Sequence, residues 1–305
     1  MAGQRSEDPG CHAPITLYRY QMKQCVLYCL LLTVLASCSQ MAIYQSPVHT
    51  NSSTYKTIPL QNEGIASASY AGLHISAGNA NHRGHDYTLN FSGTYHRSHN
   101  FEGFQATYGA NFMLGNYRVR RFSPDSSTSR YDGLGFDPAF INDHTGNKFF
   151  GAWGINGSFN AVMKTDIGEW RILGTELSYT NEFGNYLNFR RKLPVYYANS
   201  VDPHNQYFTY GFFTELVNTV GDGNTMGFKL AWTNAATKVT TLERDGSGRP
   251  YHEFTPRFLS ATAQVTLHKM TMYGQANFGS YASSLQGGVL LRLGSTKKAG
   301  KAAGL

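Results

Sequence analysis

The sequence predicts an all-β fold, an antiparallel up-and-down transmembrane β-barrel of about ten strands (8–12). Three observations lead there. After Ile65, apolar and polar residues alternate with a period of two, the strand signature. Most alternating segments run 9–13 residues; a tilted strand crosses a bilayer in ~9–11, whereas strands in soluble proteins average ~5–6. The connections between segments alternate between short and long, as in membrane barrels. Composition agrees. The 305 residues include 32 Gly and are 14% aromatic, with only 15% charged, against roughly 25% charged in an average soluble domain. A mean hydropathy of −0.36 and the lack of any apolar run of ~18 residues exclude a helical membrane protein. Without a glycine period or heptads, and with so many aromatics, collagen, coiled coil and disorder are excluded too.

The N-terminal region comes first. All four cysteines, Cys11, Cys25, Cys29 and Cys38, precede the strands, so disulfides do not staple the barrel. From Met22 the chain reads as a secretory signal peptide, with Lys23 as its positive start and Val26–Leu35 as a short apolar core. Leu35-Ala36-Ser37-Cys38 follows. These residues resemble the lipobox of bacterial lipoproteins. The resemblance implies cleavage before Cys38 and a diacylglyceryl group on its thiol. Ser39, in place of Asp, implies by the same resemblance the outer rather than the inner membrane of a Gram-negative envelope. Met1–Gln21 carries Arg5, Glu7 and Asp8 and is too polar for a signal, so translation is expected to start at Met22. The competing reading is an ordinary or unprocessed signal with a chance cysteine. The domain reading is therefore 1–37 signal peptide, 38–64 lipidated tether, 65–294 barrel and 295–305 periplasmic tail.

Each strand follows from its own alternation. The ten run at about 65–76, 86–96, 104–115, 149–163, 169–180, 207–217, 225–235, 257–267, 271–279 and 285–294. In the second, Tyr87, Leu89, Phe91, Gly93 and Tyr95 share one face, and Thr88, Asn90, Ser92 and Thr94 the other. In the third, Phe104, Ala106, Tyr108, Ala110, Phe112 and Leu114 oppose Gln105, Thr107, Gly109, Asn111 and Met113. Later strands continue the apolar face through Trp153, Ile155, Phe159, Leu177, Phe212, Phe228, Trp232, Val289 and Leu291, with no charge mid-face. An apolar outside with Asn, Thr, Ser and Gln inside is the membrane-barrel pattern; a soluble barrel inverts it.

The connections set the sidedness. Those at 97–103, 164–168, 218–224 and 268–270 are short, and Gly221-Asp222-Gly223-Asn224 is a strong turn signal. Those after strands one, three, five and seven are 77–85, 116–148, 181–206 and 236–256, expected on the outside. An even strand number puts both barrel termini on the periplasmic side, so Cys38 is expected in the inner leaflet of the outer membrane. Tyr87, Phe149, Tyr179, Phe208, Trp232 and Phe278 fall near outer strand ends, and Tyr95 and Phe104 near inner ends, as interfacial girdles require.

Chemistry is sparse. The predicted lumen charges are Glu176, Glu215, Lys229 and Arg292. Glu215 and Lys229 flank the 218–224 turn and are expected to pair, since a lone buried charge is costly. Bulky inward groups include Tyr207, Phe213, Phe258, Gln264 and Tyr273. The histidines at 82, 85, 144, 204 and 252 fall in outer loops and those at 96 and 99 at a periplasmic turn. Of the loop set only His82 and His85 have tight ligand spacing, and there is no Cys partner, so solvated loop histidines are favoured over a metal or haem capture site and no metal and no cofactor are expected. No nucleophile elbow, phosphate loop or carboxylate pair points to an enzyme. Arg118, Arg120, Arg121, Arg190, Arg191 and Lys192 read as solvated loop charge, ahead of a site for anionic lipid head groups. Expected partners are the lipid bilayer and other envelope proteins through the outer loops, with no nucleic acid. The leading function is a non-enzymatic structural or accessory subunit of an envelope assembly; the alternatives are a narrow pore or transport channel, and then a lipid-modifying enzyme.

Overall fold

The computed structural model describes residues 44–48, 54–81, 86–121, 138–193, 201–221, 223–236, 239–240, 253–279 and 282–297. The signal segment and Cys38 lie outside the described residues, as do His82, His85 and His252.

Period-two segments form strands, and each lies beside its sequence neighbours. They are β1 (Ile65–Asn81), β2 (Asp86–Asn100), β3 (Phe104–Val119), β4 (Gly146–Thr165), β5 (Gly168–Phe183), β6 (Gln206–Thr219), β7 (Thr225–Ala235), β8 (Arg257–Leu267), β9 (Met270–Gly279) and β10 (Ser283–Lys297). All pairs are antiparallel, and β1 pairs with β10 to close a ten-stranded barrel, with Leu73 opposite Val289. Closure leaves no sheet edge to hydrogen-bond with lipid, where none of its groups would find a partner. The fold class read from the alternation is the observed one.

Alternation also holds residue by residue. On β3, Gln105, Thr107, Met113 and Tyr117 are buried, while Phe104, Tyr108, Phe112 and Leu114 are exposed. The outward belt includes Leu73, Phe91, Trp153, Ile155, Leu177, Phe212, Phe228, Leu285 and Leu293. Large side chains facing outward at this density are normal only against lipid or a partner.

Several strands outrun their predicted bounds, β4 reaching 20 residues. The added ends carry polar residues such as Asn147 and Lys148, which hide the apolar alternation that marks the strand in sequence. The short connections gather at one end, around 101–103, 166–167, 220–224 and 268–269. Gly103, Gly221 and Gly223 there have positive φ, which a side chain would strain. At the other end the long connections carry two helices that the strand period did not reveal, α1 (Pro138–Asp143) and α2 (Asn185–Lys192), and a two-residue ladder joining Val239–Thr240 to Glu253–Phe254.

β5 breaks the alternation once. Its register with β6 shifts between Arg171 and Gly174, and Ile172 and Leu173 both face outward. Before the shift Glu169 and Arg171 point inward; after it Gly174, Glu176 and Ser178 do. One extra residue in a strand reverses the facing of everything beyond it.

The interior is filled by the chain itself. Thr54–Leu60, read as part of an external tether, are all buried inside the barrel. A segment without period two looks like a linker in sequence; here it is enclosed by walls that alternate around it. The strand that follows does begin at the short-turn end as expected, but the arm reaches it from the long-loop end.

Candidate functional site in the barrel lumen

The arm is held mostly by polar contacts, because the wall offers it Thr, Ser, Asn, Gln and charge. The Tyr55 hydroxyl donates to Glu215 Oε1 at 2.7 Å. Arg171 lies 2.6 Å from the other oxygen of Glu215 and donates to the Ile58 carbonyl at 2.8 Å. Glu176 receives Lys229 at 2.5 Å and stands 3.8 Å from Lys56 of the arm. Lys229 also sits 4.1 Å over the Phe213 ring, an arrangement that adds cation–π attraction to the ion pair. All five charged groups are nearly fully buried.

Toward the short-turn end, wall amides take up the arm's backbone. Asn100 donates to the Pro59 carbonyl at 3.1 Å and Gln105 to the same oxygen at 3.2 Å. His96 Nε2 lies 3.0 Å from the Thr57 carbonyl. The Gln61 backbone N–H donates to Glu169, and its side chain to the Phe101 carbonyl at 3.0 Å. Pro59 has no N–H to satisfy. Above, Tyr55 packs on Tyr273, which His74 and Gln286 hold by hydrogen bonds.

The long-loop end is capped. Tyr44 bridges Val201, the Asp202 N–H donates to the Tyr44 carbonyl at 2.9 Å, and the Tyr186 hydroxyl donates to the Gln45 carbonyl at 3.1 Å. Ser46 donates to Glu182 at 2.5 Å, and Arg190 pairs with the same oxygen at 2.6 Å. Burial opposes the Arg190 charge, but Glu182, Tyr207 and Asp202 around it hold the guanidinium firmly protonated. His204 is shifted up, chiefly by its hydrogen bond to Asp202. Tyr44, Met113, Tyr117, Phe150, Tyr186 and Phe189 close the apolar part of this cap, with Tyr117 and Tyr186 stacked at 3.8 Å. Voids of about 20 Å³ beside the arm at the short-turn end and about 10 Å³ at the cap are each near the size of one water. A groove of about 590 Å³ lies instead on the outward face, floored by Gly109, Ala110 and Gly157. It is part of the lipid-facing belt and holds none of this chemistry.

Of the four predicted lumen charges, Glu176, Glu215 and Lys229 come together in the lumen. Arg292 sits at the short-turn rim, paired with Glu63 at 2.9 Å and donating to the His268 carbonyl. The expected Glu215–Lys229 ion pair does not form: the two are register partners, yet each is engaged elsewhere. Arg190 is a buried cap residue rather than solvated loop charge, because α2 turns it inward onto Glu182. His96 is a lumen residue rather than a turn residue, since β2 continues to Asn100. Arg171 was hidden by the break in β5, and Tyr55 and Lys56 by a segment without period. Among the described residues, no cluster of three or more His, Cys, Asp or Glu is placed to hold a metal ion.

Fold and site define a class: an outer-membrane-type β-barrel whose lumen is occupied by its own N-terminal arm. No family model matches the chain, and no curated protein does. Among solved structures it is similar to the β domain of the Bordetella autotransporter BrkA, with 11% identity over 75% of this chain and 100% of that one, TM-score 0.35. It is also similar to the translocator domain of autotransporter NalP from Neisseria meningitidis (10%, 77% and 91%, 0.29) and to the KdgM porin (10%, 73% and 98%, 0.27). These values describe a shared barrel architecture and say nothing of function.

Proposed function

We propose that this chain is an outer-membrane barrel whose lumen is a narrow conduit, closed at rest by its own arm and tethered to lipid through Cys38. The carrying observation is the character of the seal. Wall and arm meet through ion pairs and hydrogen bonds to Glu215, Glu176, Asn100 and Gln105, groups that water replaces readily if the arm leaves. An apolar core offers no such exchange. The outward apolar belt supports membrane placement.

The test is single-channel recording in planar bilayers. The wild type is expected to be silent. Removing residues 54–60, or introducing Tyr55→Ala with Lys56→Ala, is expected to produce steady conductance. A second reading, a permanently closed structural or accessory barrel, draws support from the independent cap around Arg190, Glu182 and Asp202. Silence of folded arm variants favours it over the conduit.

A further inference from the structure

The arm has a direction, and that direction bears on which face of the membrane the chain's N-terminal part reaches. Tyr44–Val48 sit at the long-loop end, fixed to Val201, Asp202, Glu182 and Tyr186. Thr54–Leu60 lie within the lumen. The turn Gln61–Glu63 lies at the short-turn end, where Gln61 bonds Phe101 and Glu63 pairs with Arg292. β1 then starts from that same end. Between Tyr44 and Ile65 the chain therefore crosses the barrel from loop end to turn end.

With the processing at Cys38 that the proposed function assumes, what precedes Tyr44 is too short to return. Ser39 is five residues earlier, a reach of at most about 18 Å at ~3.6 Å per residue. The 16-residue strand β5, rising ~3.3 Å per residue and tilted about 40°, spans roughly 40 Å of barrel height. The interior route back is filled by the arm itself.

We propose that the chain threads its own pore, so that its mature N-terminus emerges on the long-loop face and an acyl group on Cys38 enters the leaflet at that end. The side of the mature N-terminus and its lipid rest on the proposed processing at Cys38; the passage of the arm through the barrel stands on its own contacts. With the loops outside, the anchor belongs to the cell-surface leaflet, opposite to the periplasmic leaflet expected from strand parity alone.

The experiment compares sides. A short epitope is inserted after Gln40 in one full-length version and after Asp245 in another, and antibody binding is read on intact and on permeabilised cells. Both epitopes on intact cells is the expected result. Both hidden until permeabilisation keeps the threading, because they share a face, but reverses the orientation expected from the loop lengths. Epitopes on opposite faces overturn the threading, whichever one is exposed; a surface-exposed 245 epitope then leaves the barrel orientation standing. If an insertion blocks folding, Tyr44→Cys with Val201→Cys replaces it: oxidation of cells should cross-link these bridge partners and shift gel mobility, and no cross-link in folded protein refutes the arm's course.

Discussion

Glu215 and Lys229 stand opposite each other across β6 and β7 without pairing with one another. Arg171 takes Glu215 from the β5 side, and Glu176, also on β5, takes Lys229. β5 therefore presents one charge of each sign to the two charges across from it, and the arm inserts Tyr55 and Lys56 into the arrangement. Opposite charges in adjacent positions settle on whichever partners also satisfy their remaining hydrogen bonds. Removing one partner of such a buried pair costs far more than the pair itself contributes.

Arg171→Ala should be the most damaging single change in the lumen. It leaves Glu215 with only the Tyr55 hydroxyl and frees the Ile58 carbonyl, a loss of about 3–5 kcal/mol for a broken buried pair. Urea unfolding of the detergent-purified barrel measures it. Arg171→Leu with Glu215→Leu should recover most of the loss; a double variant as unstable as the single would show that the ion pair is not its source.

Lys229→Ala should cost less than Arg171→Ala, because Lys56 at 3.8 Å can still serve Glu176. Lys56→Ala together with Lys229→Ala should then cost more than the two single losses added, since only the double change strips Glu176 of both cations. The size of that excess, read from a double-mutant cycle, is expected at ~0.5–3 kcal/mol. Simple additivity would mean that the two lysines act separately.

His204 should titrate above the ordinary ~6.5 of a histidine, since Asp202 favours its charged form. A raised folded-state value stabilises the loop fully below the unfolded pKa, and that contribution fades as pH climbs through the folded one. With a side chain 49% exposed, solvent screens the effect, and a small change is expected. NMR titration of the imidazole checks it; Asp202→Asn should return the value toward the ordinary range.

Processing at Cys38 is the remaining chemical step to test. Mass spectrometry of the mature protein should find Cys38 at its N-terminus with acyl chains attached, and Cys38→Ala should leave an unprocessed or mislocalised precursor. A mature terminus elsewhere with a free thiol removes the lipid anchor while leaving the barrel intact.

How far the sequence spoke depended on whether a residue's facing was set locally. On β2 and β3, side chains alternate without interruption, so Thr88, Asn90, Gln105 and Thr107 are legible as inward from the alternation alone. On β5 the extra residue at Ile172 and Leu173 reverses the count, and by alternation Arg171 looks outward. Nothing in Ile-Leu distinguishes such a break from ordinary strand, because both residues suit lipid.

By itself the sequence determined an antiparallel barrel of about ten strands, its apolar outside and the end where its short turns lie. Those properties repeat along the chain, and periodicity reports them. Only the tertiary structure decided what fills the barrel and which charges meet. Thr54–Leu60 carry no period and touch residues from 39 to more than 200 positions away, such as His96 and Tyr273. Their place comes from a cavity that exists only after ten strands have closed, and pairings across that cavity depend on register and on a single bulge, neither of which leaves a local mark.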